Sequence, residues 1–277
     1  MSLISLPHRA LIGFTGPDWA VFLNGQTSLN TEAILESVLA ETHKQLYYGA
    51  FLNPQGKLIC DFFLHPLNAE EVWIEVPESL RDELFNRLNL YKLRAKIKLS
   101  KSDLRVYAGV GQADGLFPDP RASIIGRDDL YRGYGNYTPD APDEAYADYR
   151  LKYNLADPLA DFPKEYLYPI DINLDALGAI DFKKGCFVGQ ETTSRMKRRG
   201  TIKNRLLPLT HDHPAFAFGS EVLLGERRAG EILASANGHS LALMRLDRMD
   251  GELTCDGQAL NLTIPDWVKA TLPAPAN

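Results

Sequence analysis

The sequence predicts an α+β fold ending in a small antiparallel β-barrel, and three observations carry that prediction. Strand and helix patterns alternate irregularly over the first 110 residues, without the long strand–helix repetition of a parallel doubly wound sheet. Leu80, Leu84 and Leu88 recur four apart, the mark of an amphipathic helix. From Asn204 onward short β-forming runs alternate with glycine turns, the pattern of a small barrel or sandwich. With 277 residues, 45% of them hydrophobic and 24% charged, the chain has material for two or three cores. The expected divisions are 1–110, 111–203 and 204–277.

Leu3 to Phe14 is rich in β-formers and predicts an opening strand. Gly16-Pro17-Asp18 then starts a helix, with Pro17 at its first position. Trp19, Phe22 and Leu23 give that helix one buried face. Leu46–Leu52 and Lys57–Leu64 flank Asn53-Pro54-Gln55-Gly56, a turn with Pro second and Gly fourth, so the pair reads as a hairpin. Strands at Glu71–Val76, Lys96–Leu99 and Leu104–Val110 complete the first unit. Gly111 to Pro142 reads as a variable connection with short strands. Asp143–Leu155 reads as a helix carrying Tyr146, Tyr149 and Arg150. The barrel strands are expected at Leu206–Leu209, Glu221–Leu224, Ala229–Ala236 and Ser240–Leu246, with a loose tail after Trp267.

No run of about 18 uncharged apolar residues exists, so no helix that spans a bilayer is expected. Met1 to Arg9 lacks a secretory pattern. Cys60, Cys186 and Cys255 form no close pair, which argues against a disulfide framework or a zinc knuckle. The simplest compartment is a reducing cytoplasm. Net charge is −6, yet Lys183 to Arg205 holds eight basic residues and one acid, leaving −13 for the remainder. Such a distribution makes a local anion-attracting patch on an acidic body, although a solvated helix end followed by a basic strand reads the same way. Aromatic residues suited to base stacking do not interleave this patch, so direct nucleic-acid binding is not expected.

The sharpest local feature is Phe182-Lys183-Lys184-Gly185-Cys186-Phe187-Val188-Gly189-Gln190-Glu191. Two glycines bracket a cysteine, as a tight loop before a helix requires, and Gly189 to Arg199 can form that helix. A thiol near a helix N-terminus and beside Lys184 is favoured as a thiolate. A lone cysteine is also commonly a small buried hydrophobe.

Lys184 through Glu191 matches the Lys-Gly-Cys-aromatic-x-Gly-Gln-Glu signature of the YgfZ-type folate-binding proteins, relatives of the glycine-cleavage aminomethyltransferase. Pro169-Ile170-Asp171-Ile172-Asn173-Leu174, Asn53-Pro54-Gln55-Gly56-Lys57 and Tyr91-Lys92-Leu93-Arg94 resemble further segments of that family, and the likeness covers roughly residues 3 to 250. It implies an aminomethyltransferase-like folate-binding fold, a three-domain ring with tetrahydrofolate in a central channel. It implies a role as an accessory factor for assembly or repair of iron–sulfur clusters. The partners would be cluster-assembly proteins and iron–sulfur client enzymes, including those that modify tRNA. Cys186 is the key functional thiol in this reading: a nucleophile or redox thiol, a cluster ligand, or a partner contact. Asp171 stands where the family has its pterin-facing acid, one methylene shorter here, and would accept charge-assisted hydrogen bonds; its other reading is a turn residue. Arg150, Lys184, Gln190, Glu191 and Asp61 are further candidates for the folate site, with Arg150 equally suited to bridging domains. The transferases carry two adjacent acids after the hairpin turn, where this chain has Cys60-Asp61. Loss of one acid weakens acid–base help at a folate nitrogen. It counts against the alternative reading, a folate-dependent aminomethyltransferase or N-demethylase. No metal ligand set is read from spacing.

Overall fold

A computed structural model describes residues 2–43, 45–111, 115–199 and 202–272. The chain opens with β1 (Ser2–Ser5) and β2 (Arg9–Thr15), then α1 (Trp19–Gln26) and α2 (Thr31–Leu39). A hairpin of β3 (Tyr47–Leu52) and β4 (Leu58–Asn68) leads to β5 (Glu71–Pro77), α3 (Glu78–Tyr91), β6 (Lys98–Ser102) and β7 (Arg105–Val110). Next come β8 (Phe117–Pro118), β9 (Leu130–Gly135), α4 (Glu144–Lys152) and α5 (Gln190–Arg199). The last part holds β10 (Asn204–Thr210), β11 (Glu221–Leu224), β12 (Arg227–Ala236), β13 (His239–Arg245), β14 (Leu253–Cys255), β15 (Gln258–Leu262) and α6 (Asp266–Lys269).

Three sheets organise these elements. One has five strands in the order β3-β4-β5-β2-β6, and a second has four in the order β1-β7-β9-β8. The third is a closed six-stranded barrel, β10-β13-β12-β11-β14-β15. The five-stranded sheet has a core on each face, because successive side chains of a strand point to opposite sides. Phe62, Leu64, Ile12 and Phe14 pack against Trp19, Leu23, Leu84 and Leu88 on the helical side. Leu11 and Phe63 instead join Val106, Ala108 and Tyr134 of the four-stranded sheet.

Several sequence expectations are corrected. The opening strand is two strands in different sheets: the chain turns at Leu6–Arg9, where Pro7 has no N–H for a ladder and Arg9 N–H bonds the Leu6 carbonyl at 3.0 Å. The four-stranded sheet takes β1 and β7 from ahead of residue 110 and β8 and β9 from beyond it, so the division expected at 110 cuts through a sheet. Pro17 precedes the helix instead of opening it; Asp18 is the N-cap, and its carboxylate accepts the Lys96 N–H at 2.7 Å. The tail after Trp267 is helical as far as Lys269, with Val268 buried in the barrel core; its last five residues lie outside the described ones.

Asp61 on β4 belongs to a buried ionic lattice between the two open sheets. Arg9 Nη1 donates to Asp61 Oδ1 and Arg9 Nε to Glu75 Oε1, both at 2.8 Å. Arg132 Nη1 reaches the same Glu75 oxygen at 3.3 Å, and Tyr134 donates to the other at 3.0 Å. Arg132 also approaches Asp119, which holds Arg121 at 2.8 Å. The Arg132 and Arg121 guanidiniums lie 4.3 and 4.9 Å from the centre of the Phe63 ring. Arg9 also lies 3.5 Å from buried Asp157, so three arginines offset four carboxylates where water hardly reaches, the condition for keeping such charges buried.

Candidate functional site

The site is built where two distant motifs meet. Asp181 Oδ1 accepts the N–H groups of Lys183 and Lys184, and this turn sets up the Cys186 loop. Lys184 is buried, and its Nζ donates to three carbonyls: Asn24 at 2.5 Å, Thr27 at 2.8 Å and Leu29 at 2.6 Å. Its ammonium lies 4.9 Å from the centre of the Phe187 ring. All three donors are therefore committed to the end of α1 and the turn into α2. Burial lowers the Lys184 pKa to about 8. The expectation that Lys184 binds folate or acts on the thiol is corrected: it fastens the loop to α1.

On the other side the loop rests on the β3–β4 turn. Gly189 has φ +82°, and a Cβ there would stand 2.6 Å from the Asn53 carbonyl oxygen. Gly56 has φ +84° in the facing turn, and its Cβ would stand 2.8 Å from Thr192 Cβ. Two glycines in the left-handed region let the two backbones touch. Val188 N–H completes the seat on the Gly25 carbonyl at 3.3 Å.

This loop presents Cys186 to solvent, whereas Cys60 and Cys255 are buried. Burial raises the Cys60 thiol well above its ordinary value and Cys255 to about 11. Cys186 lines a cavity of about 510 Å³ with Phe182, Phe187, Gln190, Glu191, Lys197 and Arg198. Gln190 and Glu191 open α5, with Glu191 complementing the positive end of the helix. Among the described residues, no group of three or more His, Cys, Asp or Glu side chains could hold a metal ion. The basic patch is smaller than its sequence count: Lys184 and Arg205 are buried, and Lys197 bridges to Asp175 at 2.9 Å. Lys183, Arg195, Arg198 and Lys203 remain exposed.

The remaining folate candidates do not converge. Arg150 is buried and forms a two-point pair with Asp161, with both contacts at 2.7 Å, so it braces α4 against the following turn. Asp61 sits against Arg9 inside the lattice, out of reach of a bound amine. Gln190 and Glu191 face the cysteine cavity. Asp171 is mostly buried; its carboxylate accepts the Tyr168 N–H at 3.3 Å, and the Arg205 charge acts against the effect of its burial. Burial raises its pKa to about 6. Its carbonyl holds Leu206 N–H at 2.7 Å and so ties the barrel to the body.

A raised carboxyl pKa has a definite sign. The folded state holds the Asp171 proton at a pH where the unfolded chain has lost it, so stability falls as pH rises from about 4 through about 6. Two pKa units are worth about 2–3 kcal/mol. Asp171→Asn is expected to be more stable than the parent at pH 7 by up to that amount, with the gap closing near pH 4. Urea unfolding across that range checks it; a gap that does not change with pH would contradict it.

Residues 203–270 match the family model described as the CAF17 C-terminal beta-barrel domain. The fold as a whole resembles the glycine cleavage system aminomethyltransferase T from Bartonella henselae, with a TM-score of 0.70 and 15% identity over 96% of this chain and 86% of that one. The aminomethyltransferase-like fold with a C-terminal barrel is thereby established. Among sequence relatives, the mitochondrial iron–sulfur cluster assembly factor IBA57 homologue of Pyricularia oryzae is 30% identical over 92% of this chain and 74% of its own. Mitochondrial IBA57 of Mus musculus is 29% identical over 95% of this chain and 84% of its own. These relatives bear the IBA57 name, not that of the YgfZ-type family; the two readings meet in iron–sulfur cluster assembly. The relatives also overturn the cytoplasmic expectation, since they are mitochondrial by name. Unpaired cysteines report only a reducing environment, which does not single out the cytoplasm. With 30% identity sustained over 92% of its length, the chain belongs to the IBA57 family of iron–sulfur cluster assembly factors.

Proposed function

We propose that this protein serves iron–sulfur cluster assembly or repair by lending the Cys186 thiolate to a cluster held jointly with a partner protein. The observation that carries this reading is the exposure of one thiol of three, on a loop braced by three backbone carbonyls and by the Gly189–Gly56 contact. One thiolate supplies one ligand of a cluster, and the partner supplies the others. Sγ loses its proton to solvent as the Fe–S bond forms and displaces one exchangeable ligand; no electron transfer is needed. The cluster is cargo, and cluster-dependent tRNA-modifying enzymes are among the clients.

Cells lacking the protein supply the test. Cys186→Ser is expected to leave the melting temperature unchanged, because the thiol is exposed, and to fail to restore cluster-dependent enzyme activity. Full restoration by Cys186→Ser would overturn the role of the thiol.

A second reading, reduced folate bound against Asp171, is favoured by that buried and sparsely bonded carboxyl. Folate would supply a one-carbon carrier; this chain would supply an acceptor for the pterin N–H groups. Anaerobic calorimetric titration with tetrahydrofolate is expected to give saturable binding that Asp171→Asn abolishes. No binding to the parent would end this reading without touching the first.

A further inference from the structure

Helix α1 links the Cys186 loop to a second exposed feature. At its C-terminal end the carbonyls of Asn24, Gly25 and Thr27 hold that loop. At its N-terminal end Asp18 holds the Lys96 N–H at 2.7 Å, and the Gly16 backbone lies so close that a Cβ would stand 2.1 Å from the Lys96 oxygen. Eight residues of helix span about 12 Å, so the loop at 92–96 and the thiol loop flank one short rod.

Three properties set this corner apart. The first is apolar exposure: Leu93 is 85% exposed, Leu90 73% and Tyr91 54%, while Val21 on α1 between the two loops is 66% exposed. Single exposed apolar residues are ordinary, but a group of them marks an interaction site. The second is backbone strain. Leu93 has φ +43°, a left-handed conformation that a leucine adopts only at a cost. The third is charge. Leu84 to Ser102 holds six basic residues and no acid, while Lys183 to Arg205 carries +7 in sequence and keeps Lys183, Arg195, Arg198 and Lys203 exposed. The rest of the chain therefore carries −19, and both basic segments meet the ends of α1.

We propose that α1 and its two flanking loops form one docking face for a protein that presents acidic residues around an apolar patch, seating that partner over Cys186. This inference rests on the Cys186 reading and adds the surface by which the partner is held. Aliphatic Leu93, Leu90 and Val21 suit an apolar protein surface more than a base stack, and the −19 body repels a nucleic-acid backbone or an anionic bilayer. The exposed Arg94, Lys96 and Lys183, with half-buried Lys92, would steer the acidic rim and set its register.

The test uses the whole chain in cells, with benzoylphenylalanine at position 93 in one sample and a disulfide trap through Cys186 in another. The same acidic protein is expected in both adducts. Leu93→Asp with Val21→Glu is expected to lower the Cys186 adduct at least tenfold, while iodoacetamide labelling of Cys186 in the purified variant stays at the parent rate. Leu93→Asn serves as a folding control: asparagine accepts left-handed backbone, so its melting temperature should equal or exceed the parent value. Different proteins in the two adducts, or a Cys186 adduct that survives the double substitution, would overturn the docking face while leaving the thiol's role intact. Crosslinking of position 93 to a second copy of this chain or to RNA would overturn it too, as would flotation of the purified protein with phosphatidylserine vesicles.

Discussion

Gly189→Ala is expected to destabilise the protein by about 2–4 kcal/mol, an effect large for one methyl group. Two costs add. An alanine at φ +82° is strained by about 1–2 kcal/mol. The new Cβ also lies 2.6 Å from the Asn53 oxygen and 2.8 Å from Leu52 Cβ. Both neighbours are fixed, one as backbone in a turn and the other as the first atom of a buried side chain. The strain can be relieved only by lifting the Cys186 loop off the β3–β4 turn, so iodoacetamide labelling of Cys186 should change together with the urea midpoint. Gly185→Ala is the matched control. Nothing lies within 4 Å of a Cβ built there, and its stability should stay within about 0.5 kcal/mol of the parent. Equal stability of Gly189→Ala and Gly185→Ala would mean that the loop is not seated on the turn.

That contrast also measures what a sequence can disclose. The Lys-Gly-Cys segment was legible because its residues are contiguous and its glycines flank a thiol. Which glycine bears the backbone contact was not legible, since the answer depends on a turn more than 130 residues upstream in the chain. Lys184 misled for the same reason. A lysine beside a cysteine reads as an electrostatic partner, yet its ammonium is saturated by carbonyls of residues 24, 27 and 29. Asp171 is singled out by its segment as a pterin-facing acid, while its burial and raised pKa follow from packing that no local pattern encodes. The barrel announced itself through short strands and turns. Helix α2 was overlooked although Asn30 caps it and Ile34 and Val38 line its buried face at i, i+4 spacing. The ionic lattice was hidden more deeply. Arg9, Asp61, Glu75 and Arg132 each look like ordinary polar positions of strands, and only the stacking of two sheets brings them together.

The lattice should be the most sensitive part of the fold. Arg9→Met removes the cation shared by Asp61 and Glu75, both buried, and leaves their charges to Arg132 and Arg121 alone. Breaking a buried pair from one side costs about 3–5 kcal/mol, because the remaining charge has neither water nor partner. The size of the loss alone would not separate this from lost packing, but its pH dependence does. Burial already raises the Asp61 pKa, with the Arg9 charge opposing it. Once Arg9 is gone the rise is opposed mainly by Arg121, so the folded variant takes up a proton that the unfolded chain releases. A group with a raised folded pKa contributes stability at low pH that is lost as pH climbs through that pKa. The deficit of Arg9→Met should therefore shrink as pH falls from 8 towards 5, whereas a packing defect would be the same at both. Adding Glu75→Gln and Asp61→Asn to Arg9→Met should recover part of the loss at pH 8 and flatten its pH dependence, since the two carboxylates closest to the arginine are then neutral and only Asp157, at 3.5 Å, stays charged. A pH-independent deficit in the single variant, unchanged in the triple one, would mean that Arg9 acts through its bulk and not through its charge.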